Sequence, residues 1–239
     1  MIALIKANMQ RMIKHIFYIP ALILAVAITF LAVYLRGVDL DRIMVWHRIV
    51  SLGIPAFFSV FIPLFLGVEY QSGTFRNKVI SGHKQSEVYI ADLISILIGV
   101  FIMEICWFMT GVVKILVSGF SINGEFLISS AALMLIFFAY ASLITLFSLR
   151  IRNMIASTFF GIFAFMGSYF LGVTAFSVNM ITGLKLAAVI ENILPIGQWF
   201  GVMNADESLP MPVRLIFSLA FLIIITVIGT YRINKRQLN

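Results

Sequence analysis

Six long apolar runs, separated by short polar stretches, set the plan of this chain. They cover residues 17–35, 49–68, 88–113, 126–149, 154–178 and 213–231. Each is close to the ~20 residues that a helix needs to cross a hydrocarbon layer. The pattern predicts an all-α membrane protein with six transmembrane helices, and an even number of crossings puts both termini on one side.

Residues 1–16 follow a different rhythm. Ile2, Ile5, Met9, Met12 and Ile16 recur at helical spacing, with Lys6, Gln10, Arg11, Lys14 and His15 on the other faces. That spacing predicts an amphipathic helix lying in the membrane interface. Pro20 suits a bend near the start of the first run. Ala25-Val26-Ala27 has the form of a signal-peptide cleavage site, but more apolar residues follow it, so cleavage there is not expected.

The stretch 179–212, between the fifth and sixth runs, is moderately apolar. Residues 184–193 read as a short helix. Pro195, Gly197 and Gly201 then break the regularity around Trp199 and Phe200. Asn204-Ala205-Asp206-Glu207-Ser208 reads as a turn, and Pro210 and Pro212 precede the last run. Backbone at membrane depth must satisfy its own hydrogen bonds. The stretch is therefore expected to form short re-entrant helices in the outer leaflet.

Composition agrees with a single membrane domain over 1–239. Hydrophobic residues make up 62% and charged ones 11%, against about 25% charged in a soluble domain. A soluble core of this length could not hide so much apolar surface.

The net charge of +7 raises nucleic acid as a partner, and its distribution argues against it. One side carries eleven basic residues: Lys6, Arg11, Lys14, Arg76, Lys78, Lys84, Arg150, Arg152, Arg232, Lys235 and Arg236. The other carries six: Arg36, Arg42, Arg48, Lys114, Lys185 and Arg214, largely cancelled by Asp39, Asp41, Glu125, Glu191, Asp206 and Glu207. The positive-inside bias then puts both termini in the cytoplasm, with anionic lipid as the partner of the excess charge.

Few residues invite catalysis. The lone Cys106 allows neither a disulfide framework nor a cysteine metal site. Phosphate-loop, dinucleotide, zinc-helix and nucleophile-elbow motifs are absent, so no catalytic, cofactor or metal residue is expected in this chain. His15, His47 and His83 fall in separate flanks and read as interfacial or solvated. Glu104 is the one acid well inside a span, where an ionisable group costs at least a few kcal/mol. It either contacts a cation, proton or substrate, or faces another helix as a hydrogen-bonded carboxyl. Thr110 and Thr145 are candidate polar neighbours. An intramembrane carrier or enzyme centred on Glu104 is one alternative function, and a non-transporting membrane anchor for a cytoplasmic protein is another.

Small residues recur every four positions on two spans, as Ala21, Ala25 and Thr29 and as Ala164, Ser168 and Gly172. Such stripes let helices approach closely, either within the bundle or between subunits.

The densest polar patch is the island Glu69-Tyr70-Gln71-Ser72-Gly73-Thr74-Phe75-Arg76-Asn77-Lys78, continuing to Gly82 and Glu87 between the second and third spans. Ser72, Gly73 and Thr74 can open a short helix with a Ser/Thr cap. Phe75 and Val79 give it an apolar anchor, and Arg76, Lys78 and Lys84 can pair with carboxylates on a docked protein.

The island, with Glu69 followed by Gly73-Thr74-Phe75-Arg76 and then Ser81-Gly82-His83, resembles the cytoplasmic loop of ABC-2 type transporter permeases. The interfacial first helix, the six spans and the segment between spans five and six are similar to that family too. The resemblance implies that residues 69–87 form a coupling loop seated on a separate ATPase subunit, which binds ATP and magnesium. It implies a second permease chain, with spans one and five at the dimer interface, in a bacterial cell membrane. It also implies export. The Phe- and Met-rich spans suit an amphipathic or hydrophobic cargo, and the short single-domain form resembles permeases that expel antimicrobial peptides, including bacitracin-resistance and bacteriocin or lantibiotic self-immunity systems.

Overall fold

The computed structural model describes residues 1–151, 153–203 and 210–234. Every regular element among them is helical. Arg152, Lys235, Arg236 and the turn expected over 204–208 lie outside the described residues.

Among the described residues, six helices are long and apolar enough to cross a membrane. They are α2 (Tyr18–Arg36), α4 (Gly53–Gln71), α6 (Gln85–Val117), α7 (Gly124–Ile151), α8 (Met154–Thr182) and α11 (Met211–Asn234). They match the six apolar runs, and the helices overrun the runs at most ends because polar residues continue the turns. The shorter helices are α1 (Ile2–Ile13), α3 (Leu40–Ser51), α5 (Thr74–Ile80), α9 (Lys185–Ile193) and α10 (Pro195–Met203).

Helix α3 continues the second apolar run backwards, separated from α4 by Leu52 alone. Asp39 caps it, accepting from the Arg42 amide at 2.8 Å, which satisfies one of the amides orphaned at a helix start. Ile43, Met44 and His47 form its buried face.

The main core lies among α4, α6 and α7, with Phe58, Phe61, Phe65, Ile96, Phe137 and Tyr140 at its centre. About two thirds of the apolar window of α7 is buried, against 17% for α2, α8 and α11. The chain thus has a three-helix centre and three peripheral spans. At one end, α1 packs along the start of α6 and beside α5, with Leu4, Phe75, Val88 and Ala91 as a small satellite core. At the opposite end, α3 closes on Val33, Ile115 and Phe126.

The buried side of α1 includes Met12 of the predicted apolar face, with Ile5 and Met9 packed beside it. Leu4, Asn8 and Met12 are buried, while Ile2 and Ile16 stand 82% and 75% exposed. An asparagine occupies the inward stripe, for a reason given below.

Helices α9 and α10 form a pair bent by 108° at Leu194. Pro195 and two glycines do not interrupt the second of them. Proline is tolerated in the first turn of a helix, where its missing N–H has no intrahelical partner to lose. Gly197 and Gly201 are buried because neighbours press on them: the Glu191 backbone on Gly197, and the Arg214 guanidinium on Gly201.

Candidate functional site

The polar island folds as a helix between two turns. Helix α4 ends at Gln71, and Gly73 (φ 69°) and Gly82 (φ 98°) bracket α5 in left-handed backbone conformations. Residues with a Cβ resist that region, so glycine serves at both reversals. The expected Ser/Thr cap does not form. Gly73 takes the cap position without a side-chain bond, and the Ser72 hydroxyl donates back to Val68 O at 2.7 Å.

Spacing then divides α5 into two faces. Phe75, Lys78 and Val79, at i, i+3 and i+4, turn inward; Phe75 is 4% exposed and stacks on Tyr70 at 4.8 Å between ring centroids. Arg76, Asn77 and Ile80 turn outward, continued by the exposed Ser81, Gly82 and Lys84. The apolar anchor expected of Phe75 and Val79 is present. Lys78, expected on the outer face, is not on it.

Lys78 instead enters a buried ionic cluster drawn from four helices. Its ammonium donates to Glu69 Oε1 at 2.6 Å, to Asn8 Oδ1 at 3.1 Å and to Asp92 Oδ1 at 3.4 Å. Arg11 of α1 donates to the same Glu69 oxygen, and its guanidinium lies 4.1 Å from the Phe65 ring centroid. Asn8 donates to Asp92 Oδ1 at 2.7 Å. Glu69 and Asp92 are fully buried.

Two cations and two acids balance the charge, as buried ions require. The balance ties α1, α4, α5 and α6 into one unit. It also explains why Asn8 faces inward: it bridges Lys78 and Asp92. Sequence reading missed Asn8, Arg11 and Asp92 as members. Asp92 carried the available signal, as an acid four residues into an apolar run with no nearby basic residue on its own helix.

A second buried polar node lies at the opposite end. Arg214 of α11 is 3.7 Å from Glu191 of α9, and both are essentially unexposed. Asn179 reaches Glu191 at 3.4 Å, Gln198 donates to Asn192 O at 2.6 Å, and Ser218 donates to Gln198 at 2.5 Å. The Trp199 indole donates to Ser51 at 3.0 Å. The node fastens the bent pair to α3, α8 and α11.

Both small-residue stripes face the chain's own interior. Thr29 is buried and Ala21 and Ala25 pack on the main core. Ala164 packs on the same core, and Gly172 meets Gly197 and Phe200 of α10. Ser168 bonds to Ala164 O, one turn back on its own helix.

Glu104 is 3% exposed and lies between α6 and α7, in the wall of a cavity. Thr110 and Thr145 do not serve it. Each hydroxyl donates one turn back on its own helix, to Cys106 O at 2.9 Å and Ala141 O at 2.8 Å.

His47 is not solvated. It is 1% exposed, stacks on Trp107 at 3.8 Å, and exchanges hydrogen bonds of 3.0 Å with the Trp107 backbone and indole. The ring supplies the stacked face and one bond through Nε2, and the His47 carbonyl accepts the other from the indole. Among the described residues, no three His, Cys, Asp or Glu side chains gather as metal ligands.

No model of a known protein family matches the chain, and no curated protein matches it in sequence.

Proposed function

We propose that this chain is the membrane subunit of an ATP-driven exporter, with the exposed face of α5 as the seat of a separate ATPase. One observation carries the reading: α5 is rooted inward by Phe75, Val79 and Lys78, while Arg76, Asn77 and Lys84 are presented outward. A short helix held this firmly suits a part that receives force, since a loose basic loop would absorb it. The similarity of the island to the coupling loop of ABC-2 permeases supports the same assignment.

In this reading the end that holds α1 and α5 faces the cytoplasm, in keeping with its basic residues. Helix α1 then lies in the inner interface with Ile2 and Ile16 toward lipid, and the bent pair α9–α10 is re-entrant in the outer leaflet. A second chain pairs through the outward faces of α2 and α8, the first and fifth spans. Amphipathic cargo, such as an antimicrobial peptide, is expelled as ATP closes the ATPase dimer and shifts the balance between two states of the bundle.

The test is association with an ATPase. The chain, purified mildly from its own membranes, should carry vanadate-sensitive ATP hydrolysis. Arg76→Glu should remove that activity while leaving the chain monodisperse and its melting point unchanged. Retention of the ATPase by this variant overturns the docking assignment.

A further inference from the structure

Helices α6 and α7 flank an open hollow of about 200 Å³, lined by Glu104, Trp107 and Phe108 on one side and Leu127, Ser130 and Met134 on the other. A water's share of liquid volume is about 30 Å³, so the space admits a ligand head several atoms across. Among the described residues, Glu104 is the one ionisable group in the wall. Its Oε1 is fully buried and has no hydrogen-bond partner among the described residues. On α3, Arg48 donates to Glu125 at 2.7 Å and His47 bonds to the Trp107 backbone.

We propose that this cavity binds the head of a primary-ammonium amphiphile, a single –NH₃⁺ on a hydrocarbon chain. A buried carboxylate without a partner is costly. An ammonium supplies both the opposite charge and the missing donors. Trp107 and Phe108 line the same wall, and aromatic rings attract a cation. The rest of the wall is apolar and suits the first methylenes. Ile105 and Leu127 at the rim are 43% and 48% exposed, so the tail leaves sideways along an apolar margin. A fatty acid brings no cation to Glu104, and a quaternary amine has no N–H to give. The site stands without the export reading, because binding needs no ATP.

Binding is read from Trp107 itself. The full chain with Trp46→Phe and Trp199→Phe keeps one indole, and it is placed in phosphatidylcholine nanodiscs. A terminally brominated dodecylammonium should quench Trp107 saturably and be displaced by plain dodecylammonium. Brominated dodecanol should give only non-saturating partition. Glu104→Gln, with unchanged melting, should weaken the ammonium roughly tenfold or more, about 1.4 kcal/mol. Should that variant fail to fold, Ala131→Phe fills the same cavity and should abolish saturation. Saturable quenching by the alcohol at equal affinity, or full affinity in whichever variant folds, overturns the proposal.

The natural source of the amine is settled in a second arm. Brominated phosphatidylethanolamine quenching Trp107 more than brominated phosphatidylcholine, and less so with Glu104→Gln, identifies an aminophospholipid. Quenching by the free amine alone identifies a soluble amphiphile. Quenching by neither overturns the site.

Discussion

The Lys78 ammonium lies 2.6 Å from the fully buried carboxylate of Glu69. A lysine from the most polar stretch of the chain therefore points into the bundle, where Asp92, Asn8 and Arg11 complete its surroundings. Removing one partner from a buried ionic group typically costs about 3–5 kcal/mol, because the remaining charges lose their compensation. Lys78→Met should therefore lower the denaturation midpoint of the detergent-solubilised chain severely. A midpoint within a degree or two of the parent contradicts the cluster.

Glu191 and Arg214 make a stricter case, since neither has solvent to fall back on. Arg214→Met alone should destabilise by several kcal/mol. Joined with Glu191→Met, it should recover most of the loss, because an apolar pair of similar volume is often no worse than a buried ion pair. A double-mutant cycle on thermal stability measures the coupling; strictly additive losses are the contrary outcome.

Close packing on α8 gives a contrast between two glycines of one helix. A Cβ on Gly161 would overlap the Ser59 carbonyl of α4, whereas one on Gly167 meets nothing within 4 Å. Gly161→Ala should cost about 1–3 kcal/mol by forcing the two backbones apart. Gly167→Ala should be neutral or stabilising by up to about 1 kcal/mol through helix propensity. Paired melting curves decide it, and equal effects would mean that α8 does not cross α4 so closely.

Gly73 tests the turn before α5. At φ 69° an L-residue pays about 1–2 kcal/mol of backbone strain. Gly73→Ala should thus lower stability by about that amount, and Gly73→Pro by more, because proline fixes φ near −65°. Limited proteolysis across residues 71–84 should speed up in the same order.

The spans were legible because a run of apolar residues records its surroundings directly. Each of the six runs became a helix, since in lipid the backbone must bond to itself. The island's position and its Phe75–Val79 anchor followed from local spacing. What local spacing could not give was the partner of each polar side chain. Lys78 looked free to pair with a docked protein because its neighbours in sequence are polar, while its acids lie nine residues before it and fourteen after it. His47 looked interfacial or solvated because the stacking Trp107 is sixty residues away. Pro195, Gly197 and Gly201 looked like breakers, but the first begins a helix and the others make room for Glu191 and Arg214. The small-residue stripes announced close contact without naming the partner, which is α10 for Gly172.

Helix α6 runs unbroken for 33 residues, about 50 Å at 1.5 Å per residue. Asp92 sits near one end of it. Trp107 sits some 22 Å further along the same axis and borders two separate apolar hollows, one beside α2 and one beside α7. No proline divides the two points. A slide or roll imposed at the ionic cluster is therefore carried along one continuous helix to a residue that borders both hollows.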